Sequence, residues 1–293
     1  MRSVGALANS VPPELPVLGG VFSVQFGAAL ADTIFDRVGP AGVAFLRAFF
    51  TALVLLVIVR PRLRRHTWHE LRVVAVYGVV LSAMNWSFYE ALHRLPLGVA
   101  VTIEFTGPLA VAIAGSRKPL DGLWVLLAGG GVVLLATRGS NAGVRPLGVL
   151  LVLIAAALWA CYILLTKRVG QWFGAAEALA LGMSAGLFVV LPAGVVEGGS
   201  VLLRPGVLGA CFGVAMLSSL VPYTLELIAL RRLATHVFGL LMSIEPAVAA
   251  LAGVVVLGQR LTGVVLVALL MVVTASAGSS LAARRAAVSV PEA

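Results

Sequence analysis

The sequence predicts an all-α integral membrane protein: ten transmembrane helices arranged as two inverted five-helix repeats around a central cavity. Three observations carry that reading. Of the 293 residues, 60% are hydrophobic and only 11% charged, and mean hydropathy is +1.06, whereas a soluble domain runs at roughly 45–50% apolar and about 25% charged. Apolar runs close to the ~20 residues that a spanning helix needs recur along the whole chain. One half of the chain also aligns on the other at a fixed offset. The composition excludes a soluble domain, a disordered chain and a nucleic-acid module that relies on a solvated basic face. Cys161 and Cys211 sit inside apolar runs and give neither a disulfide framework nor a zinc spacing. The four histidines form no i, i+4 pair in an apolar run, so no metal and no cofactor are expected.

The spans follow in order. A tail over 1–15 carries Arg2, Pro12 and Pro13, and no apolar stretch with a small-residue cleavage site precedes the first span, so no removable signal peptide is expected. That span is 16–35. Gly39-Pro40 turns the chain into 41–59, which stops at Arg60-Pro61-Arg62. The third run, 73–92, is separated by Leu95-Pro96 from the fourth, 97–115, and Lys118-Pro119 precedes the fifth, 122–137. Arg145-Pro146 opens the sixth, 147–166; the seventh is 177–196. Arg204-Pro205 opens the eighth, 206–230, and the ninth and tenth are 237–257 and 262–281. The domain plan is a first repeat over 16–138, an extracytoplasmic linker over 139–146, a second repeat over 147–281 and a tail over 282–293.

The basic residues orient the chain. With the N-terminus inside, the cytoplasmic segments hold Arg2, the five arginines between 60 and 72, Arg117-Lys118, Lys167-Arg168, Arg231-Arg232 and Arg284-Arg285. The opposite side holds Arg37, Arg94, Arg138, Arg145, Arg204 and Arg260. Short cytoplasmic loops accumulate Lys and Arg, so both termini are expected in the cytoplasm. The net charge of +9 is then a topology signal, not a nucleic-acid footprint. The partners expected are the lipid bilayer and a small solute; a homodimer is left open.

The repeat lies 138 residues apart. Glu90–Pro96 and Gly107–Ala112 fall on Ile228–Ala234 and Glu245–Ala250, Pro108 falls on Pro246, and Gly115 on Gly253. Five spans per half is odd, so the second half must insert upside down, the plan of many secondary transporters, which hold their substrate near the midplane.

Ionisable groups in hydrocarbon are costly, about 2.5–3.5 kcal/mol on insertion scales, and mark pathways. At about 1.5 Å per residue, Glu104 lies about 10 Å from the outer end of its span and Glu245 about 12 Å from the inner end of its own. Proline removes a hydrogen bond to the carbonyl four residues back. Pro108 therefore releases the carbonyl of Glu104, and Pro246 that of the aligned Met242. A substrate ammonium wants such a carbonyl and a carboxylate, and competition between that ammonium and a proton for one glutamate is sufficient for exchange; a kink satisfied by a neighbouring helix is the alternative. Glu226 follows Pro222 in a polar-aromatic stretch with Tyr223 and reads as a gate, a recruitment residue or a solvated helix end. Glu90 reads as solvated. Arg47, the only basic residue well inside a span, either receives a substrate carboxylate or pairs with a carboxylate such as Asp32, the latter being favoured. Asn85 and Tyr89 cluster on the third span and Trp159 and Tyr162 share a face of the sixth, as packing or pocket. Gln25 is a mid-membrane polar group that lines the path, and His236 is an interfacial histidine or an inner switch.

Three stretches resemble the ten-span, EamA-type members of the drug/metabolite transporter superfamily, within it most of all the amino-acid exporters for threonine and homoserine of bacterial inner membranes. They are Met84-Asn85 with Phe88-Tyr89; Pro96–Val101 and the run Glu104-Phe105-Thr106-Gly107-Pro108-Leu109-Ala110-Val111-Ala112; and Pro222–Glu226 with Phe238-Gly239, Leu241-Met242-Ser243 and Glu245-Pro246-Ala247. The resemblance implies antiport: export of threonine-like or homoserine-like amino acids against entering protons, with no prosthetic group and no enzyme activity. A broader metabolite or drug exporter is the alternative. Two departures stand out: Leu257-Gly258-Gln259 where repeats of this kind often read L-G-E, and Asp32 with Asp36 at the outer end of the first span.

Gly182-Met183-Ser184-Ala185-Gly186 fits both the helix-packing pattern G-x-x-x-G and the hydrolase pattern G-x-S-x-G. The second makes an intramembrane serine protease the remote rival, though no histidine falls near mid-span beside Ser184. Gly209–Gly213 repeats the packing pattern.

Overall fold

The computed structural model describes residues 12–114, 120–138, 144–230, 232–233 and 235–288. Among them the chain is helical throughout, with no strand. Among the described residues nine helical segments are long and apolar enough to cross a membrane, and Gly122–Arg138 is a shorter tenth. The expected all-α, ten-span build is thus the observed one.

Helices start and stop where backbone chemistry dictates. α1 covers Glu14–Val38 and α2 Pro40–Val59. Gly39 between them sits at φ +78°, and a side chain there would also collide with Glu197. Proline occupies the first position of α2, where its missing N–H costs nothing. A short 3₁₀ turn, Leu63–Arg65, leads to α3, Trp68–Leu92, which opens with a full capping box between Thr67 and Glu70. α4 is Leu97–Glu104 and α5 Thr106–Ala114. α6 is Leu120–Arg138, α7 Pro146–Val169 and α8 Ala175–Gly198. Past a 3₁₀ turn, α9 runs over Pro205–Ala215, a π-turn over Met216–Leu220 and α10 over Val221–Leu230. α11 is Thr235–Met242, α12 Glu245–Leu257 and α13 Gly263–Val288.

Three spans are interrupted, each just before a proline. The fourth breaks after Glu104, four residues before Pro108, and the ninth after Met242, four residues before Pro246. These are the two carbonyls that the prolines release. The eighth widens into a π-turn ahead of Pro222, the kind of local irregularity that concentrates at functional sites.

Packing is closest where small residues face each other. α2 packs on α8, α3 on α7 and α8, α6 on α13, and α12 on α4 and α1. A Cβ on Gly78 would run into the Gly182 carbonyl, and one on Gly186 into Ser82, so Gly182–Gly186 is a packing seam between α3 and α8. The second G-x-x-x-G differs: nothing lies within 4 Å of a Cβ at Gly209, and only the Leu30 side chain, at 3.9 Å, near one at Gly213. That pair forms no close seam: Gly213 meets only a side chain of α1 at ordinary contact distance. The Leu-Gly-Gln departure has a structural role. Gln259 Oε1 accepts from the Leu97 N–H at 3.0 Å and so caps the start of α4 across the two halves of the chain.

At one end the bundle is plugged by the main apolar core, including Phe35, Val38, Leu92, Leu95 and Leu97, all buried. The chain alternates direction through short turns, so this is the end at which α1 and α3 finish.

Candidate functional site

The ten site residues picked from the sequence all line one cavity of about 400 Å³. Gln25 comes from α1, Arg47 from α2, Asn85 and Tyr89 from α3, and Glu104 from the last turn of α4. Trp159 and Tyr162 come from α7, Tyr223 and Glu226 from α10, and Glu245 from the first turn of α12. Of the kink prolines, Pro108 and Pro222 face the cavity; Pro246 is buried beside Glu245 outside its lining. The lining continues past mid-bundle to Ala112, Glu226 and Phe238, near the ends of α5, α10 and the start of α11. The cavity therefore extends away from the apolar plug, toward the face on which α1 begins.

Charge inside this cavity is unusual in its burial. Arg47 is 6% exposed, Glu245 6%, Glu104 9% and Gln25 4%. Arg47 spends its fork on three partners from two elements: Nε donates to Ser219 Oγ, Nη1 to Tyr89 Oη and Nη2 to the Ser218 carbonyl, each at 3.0 Å. The Ser218 carbonyl is the one that Pro222, four residues on, cannot engage. The guanidinium also lies over the Tyr89 ring, 5.4 Å from its centroid. The expected pair with Asp32 does not form. Arg47 makes no ion pair among the described residues, because its head turns toward the carbonyl freed at the π-turn, while Asp32 sits near His93 and Asp36.

Glu245 is held across the bundle by Gln25, whose Nε2 donates to Glu245 Oε1 at 2.8 Å. Glu104 lies within electrostatic reach of both Glu245 and Arg47. The aromatics serve packing and pocket at once. Trp159 meets Phe105 edge-on at 5.3 Å, and Tyr162 stacks on Tyr77 at 5.2 Å. Asn85 bonds back to the Leu81 carbonyl at 2.7 Å.

Some outcomes differ from the sequence reading. Glu90 is not simply solvated: it takes Arg94 at 2.7 Å and the Trp86 indole at 3.2 Å. Ser184 gives its proton to the Ala180 carbonyl at 2.7 Å on the packing seam, and no histidine bonds it among the described residues. The side chain of His236 lies outside the described residues. Sequence reasoning also missed Ser218 of the π-turn and three serines of α13, Ser276, Ser279 and Ser280, which line the cavity, and Ser219, which accepts from Arg47. The i, i+3, i+4 spacing of the α13 serines in an apolar helix was a legible signal.

A multi-helix membrane protein with a buried guanidinium, carboxylates and hydroxyls around one cavity is built as a carrier of small polar solutes. The chain belongs to the EamA-like transporter family, whose pattern matches residues 146–281. It is 42% identical over 274 residues to the threonine/homoserine exporter RhtA of Salmonella typhimurium (strain LT2), covering 93% of this chain and 92% of that one. To RhtA of Escherichia coli (strain K12) it is 41% identical over 281 residues, covering 94% and 95%. The uncharacterized inner membrane transporter YedA of the same strain is 26% identical over 288 residues, covering 89% of each chain. A solved structure described only as "Crystal structure of protein" shares the fold, with TM-score 0.64 at 21% identity over 93% of this chain and 98% of its own.

Proposed function

We propose that this protein exports threonine- and homoserine-like amino acids across the cytoplasmic membrane in exchange for protons. One observation carries the reading: a single cavity sets a buried guanidinium, with no carboxylate paired to it among the described residues, near buried carboxylates on other helices. A zwitterion is complementary to that arrangement. Arg47 uses three of its five N–H donors within the protein, so two remain for a substrate carboxylate. That carboxylate supplies the counter-charge that a buried cation otherwise lacks. The ammonium is received by Glu245 or Glu104 and by the carbonyl that Pro108 or Pro246 releases.

Exchange follows from competition, since a glutamate that holds the ammonium gives up its proton and a glutamate that holds a proton has no charge to offer. The halves 16–138 and 147–281 are read as inverted repeats that rock against each other, with both termini cytoplasmic. The positive-inside count supports loading from the cytoplasm, because the cavity reaches toward the face where the basic residues gather. The two broken spans supply the wet, irregular backbone that membrane depth tolerates only beside a cavity.

The test is flux into proteoliposomes of labelled threonine and homoserine under an imposed pH gradient. Gradient-dependent flux of both supports the proposal; absence of both contradicts it. A broader metabolite exporter is the second reading, favoured by a cavity of about 400 Å³, within the range of pockets for drug-sized ligands. A competition screen separates the two.

A further inference from the structure

One hydrogen bond joins Gln25 to Glu245 and leaves one polar atom of each group unsatisfied. The amide Nε2 donates to Glu245 Oε1 at 2.8 Å. The other two polar atoms of the same two groups, Gln25 Oε1 and Glu245 Oε2, are both buried with no hydrogen-bond partner among the described residues. Both are acceptors, and two acceptors cannot satisfy each other. Leaving both buried and unpaired costs about 1–3 kcal/mol apiece. One proton on Glu245 Oε2, donated to Gln25 Oε1, would satisfy both at once and close an eight-membered ring of two hydrogen bonds.

We infer that Gln25 is the positioning residue for the transported proton, which lodges on Glu245 Oε2 and is held there by the amide oxygen. The inference rests on the proton-exchange reading above and locates its proton. In the step, an O–H bond forms at Oε2 with a proton taken from cavity water. It breaks when the substrate ammonium arrives, and the proton leaves to cavity water on the side from which the substrate came. The groups around the pair allow this. α12 packs against α1, α4 and α13. α1 brings Gln25, α4 brings Glu104, and α13 brings Ser276, Ser279 and Ser280 but no charge at that depth. Glu226 of α10 and Arg47 of α2 line the same cavity. Among the described residues Glu104 and Glu226 have no amide hydrogen-bonded to them, so the bond from Gln25 singles out Glu245 among the three.

The sign of one shift decides the matter. If the amide served only the carboxylate by donating to Oε1, removing it would make Glu245 easier to protonate. If the ring holds the proton, removing the amide makes Glu245 harder to protonate. The experiment is an infrared pH titration of the purified full-length protein, following the carbonyl band of the protonated acid that disappears in Glu245→Gln. In Gln25→Met, close to Gln in volume, the midpoint of that band is expected to fall by about half to one pH unit, a three- to tenfold loss of proton affinity for one neutral hydrogen bond. Gln25→Leu serves as the second variant should Gln25→Met not purify. A midpoint that rises or stays put overturns the inference while the exchange reading stands, and so does a band that survives Glu245→Gln. Wild-type flux that ignores the pH gradient removes the exchange reading and this inference with it.

Discussion

Replacing Arg47 with Gln tests how the substrate carboxylate is held. The substitution keeps a polar side chain at the site but removes the charge and the planar fork. Arg47 lines the cavity, and two of its five N–H groups remain after Ser219, Tyr89 and Ser218 are served. Losing one partner of a buried, hydrogen-bonded charge pair costs about 2–5 kcal/mol. The cavity is broad enough to be hydrated, so the lower part of that range applies. About 2–3 kcal/mol corresponds to a loss in apparent affinity of roughly 30- to 140-fold. The assay is half-saturation for threonine in proteoliposomes, run beside threoninamide, which keeps the ammonium and hydroxyl but has no carboxylate. In wild type, threonine is expected to compete far better than its amide. In Arg47→Gln the two are expected to converge, because threonine loses the anchor and the amide never had it. A parallel fall for both compounds refutes the reasoning and reduces Arg47 to a tie between α2, α3 and the π-turn.

Other outcomes follow from the same geometry. Glu245→Gln and Glu104→Gln are each expected to abolish flux driven by a pH gradient, and full coupling retained in both would sink the carboxylate mechanism. Gly78→Ala places a methyl against the Gly182 carbonyl and is expected to lower stability by about 1–3 kcal/mol through overpacking, read as a drop in Tm of the detergent-solubilised protein. Gly209→Ala meets nothing within 4 Å and is expected to raise stability by up to about 1 kcal/mol through the helix preference of Ala; a drop in Tm would point to a contact that this fold does not contain. Gln259→Glu puts a carboxylate at the N–H of Leu97, the start of α4, and is expected to stabilise by about 0.3–1 kcal/mol through the helix dipole, by the same thermal measurement.

Much of this was legible from residues alone. Hydropathy placed the spans because a spanning helix has a fixed apolar length, and prolines 108 and 246 announced both broken helices because the lost N–H has a known address. The mid-membrane ionisable residues converged because burying them apart would cost each its solvation. The identity of Arg47's partners was harder. It depends on the π-turn at Met216–Leu220, just ahead of Pro222, and the proline alone does not say that the break takes that form. Once Pro222 is known to free the Ser218 carbonyl, the direction of the fork makes sense, and the missing pair with Asp32 with it. The bond between Gln25 and Glu245 joins residues 220 apart, and a single sequence carries no signal for it. The two G-x-x-x-G motifs are the same pattern with different outcomes. Gly182 and Gly186 press against backbone and side chains of α3, while Gly209 has nothing within 4 Å and Gly213 only the Leu30 side chain, and only tertiary packing distinguishes them.

In the proposed exchange, substrate and proton compete for one buried carboxylate. The most direct measurement runs the exchange backwards. Proteoliposomes without an imposed pH gradient are given a homoserine gradient, and luminal pH is followed with a trapped dye. Proton movement opposite to homoserine is expected in wild type, and none in Glu245→Gln. Homoserine movement with no change in luminal pH, or the same pH change in Glu245→Gln as in wild type, would contradict that competition.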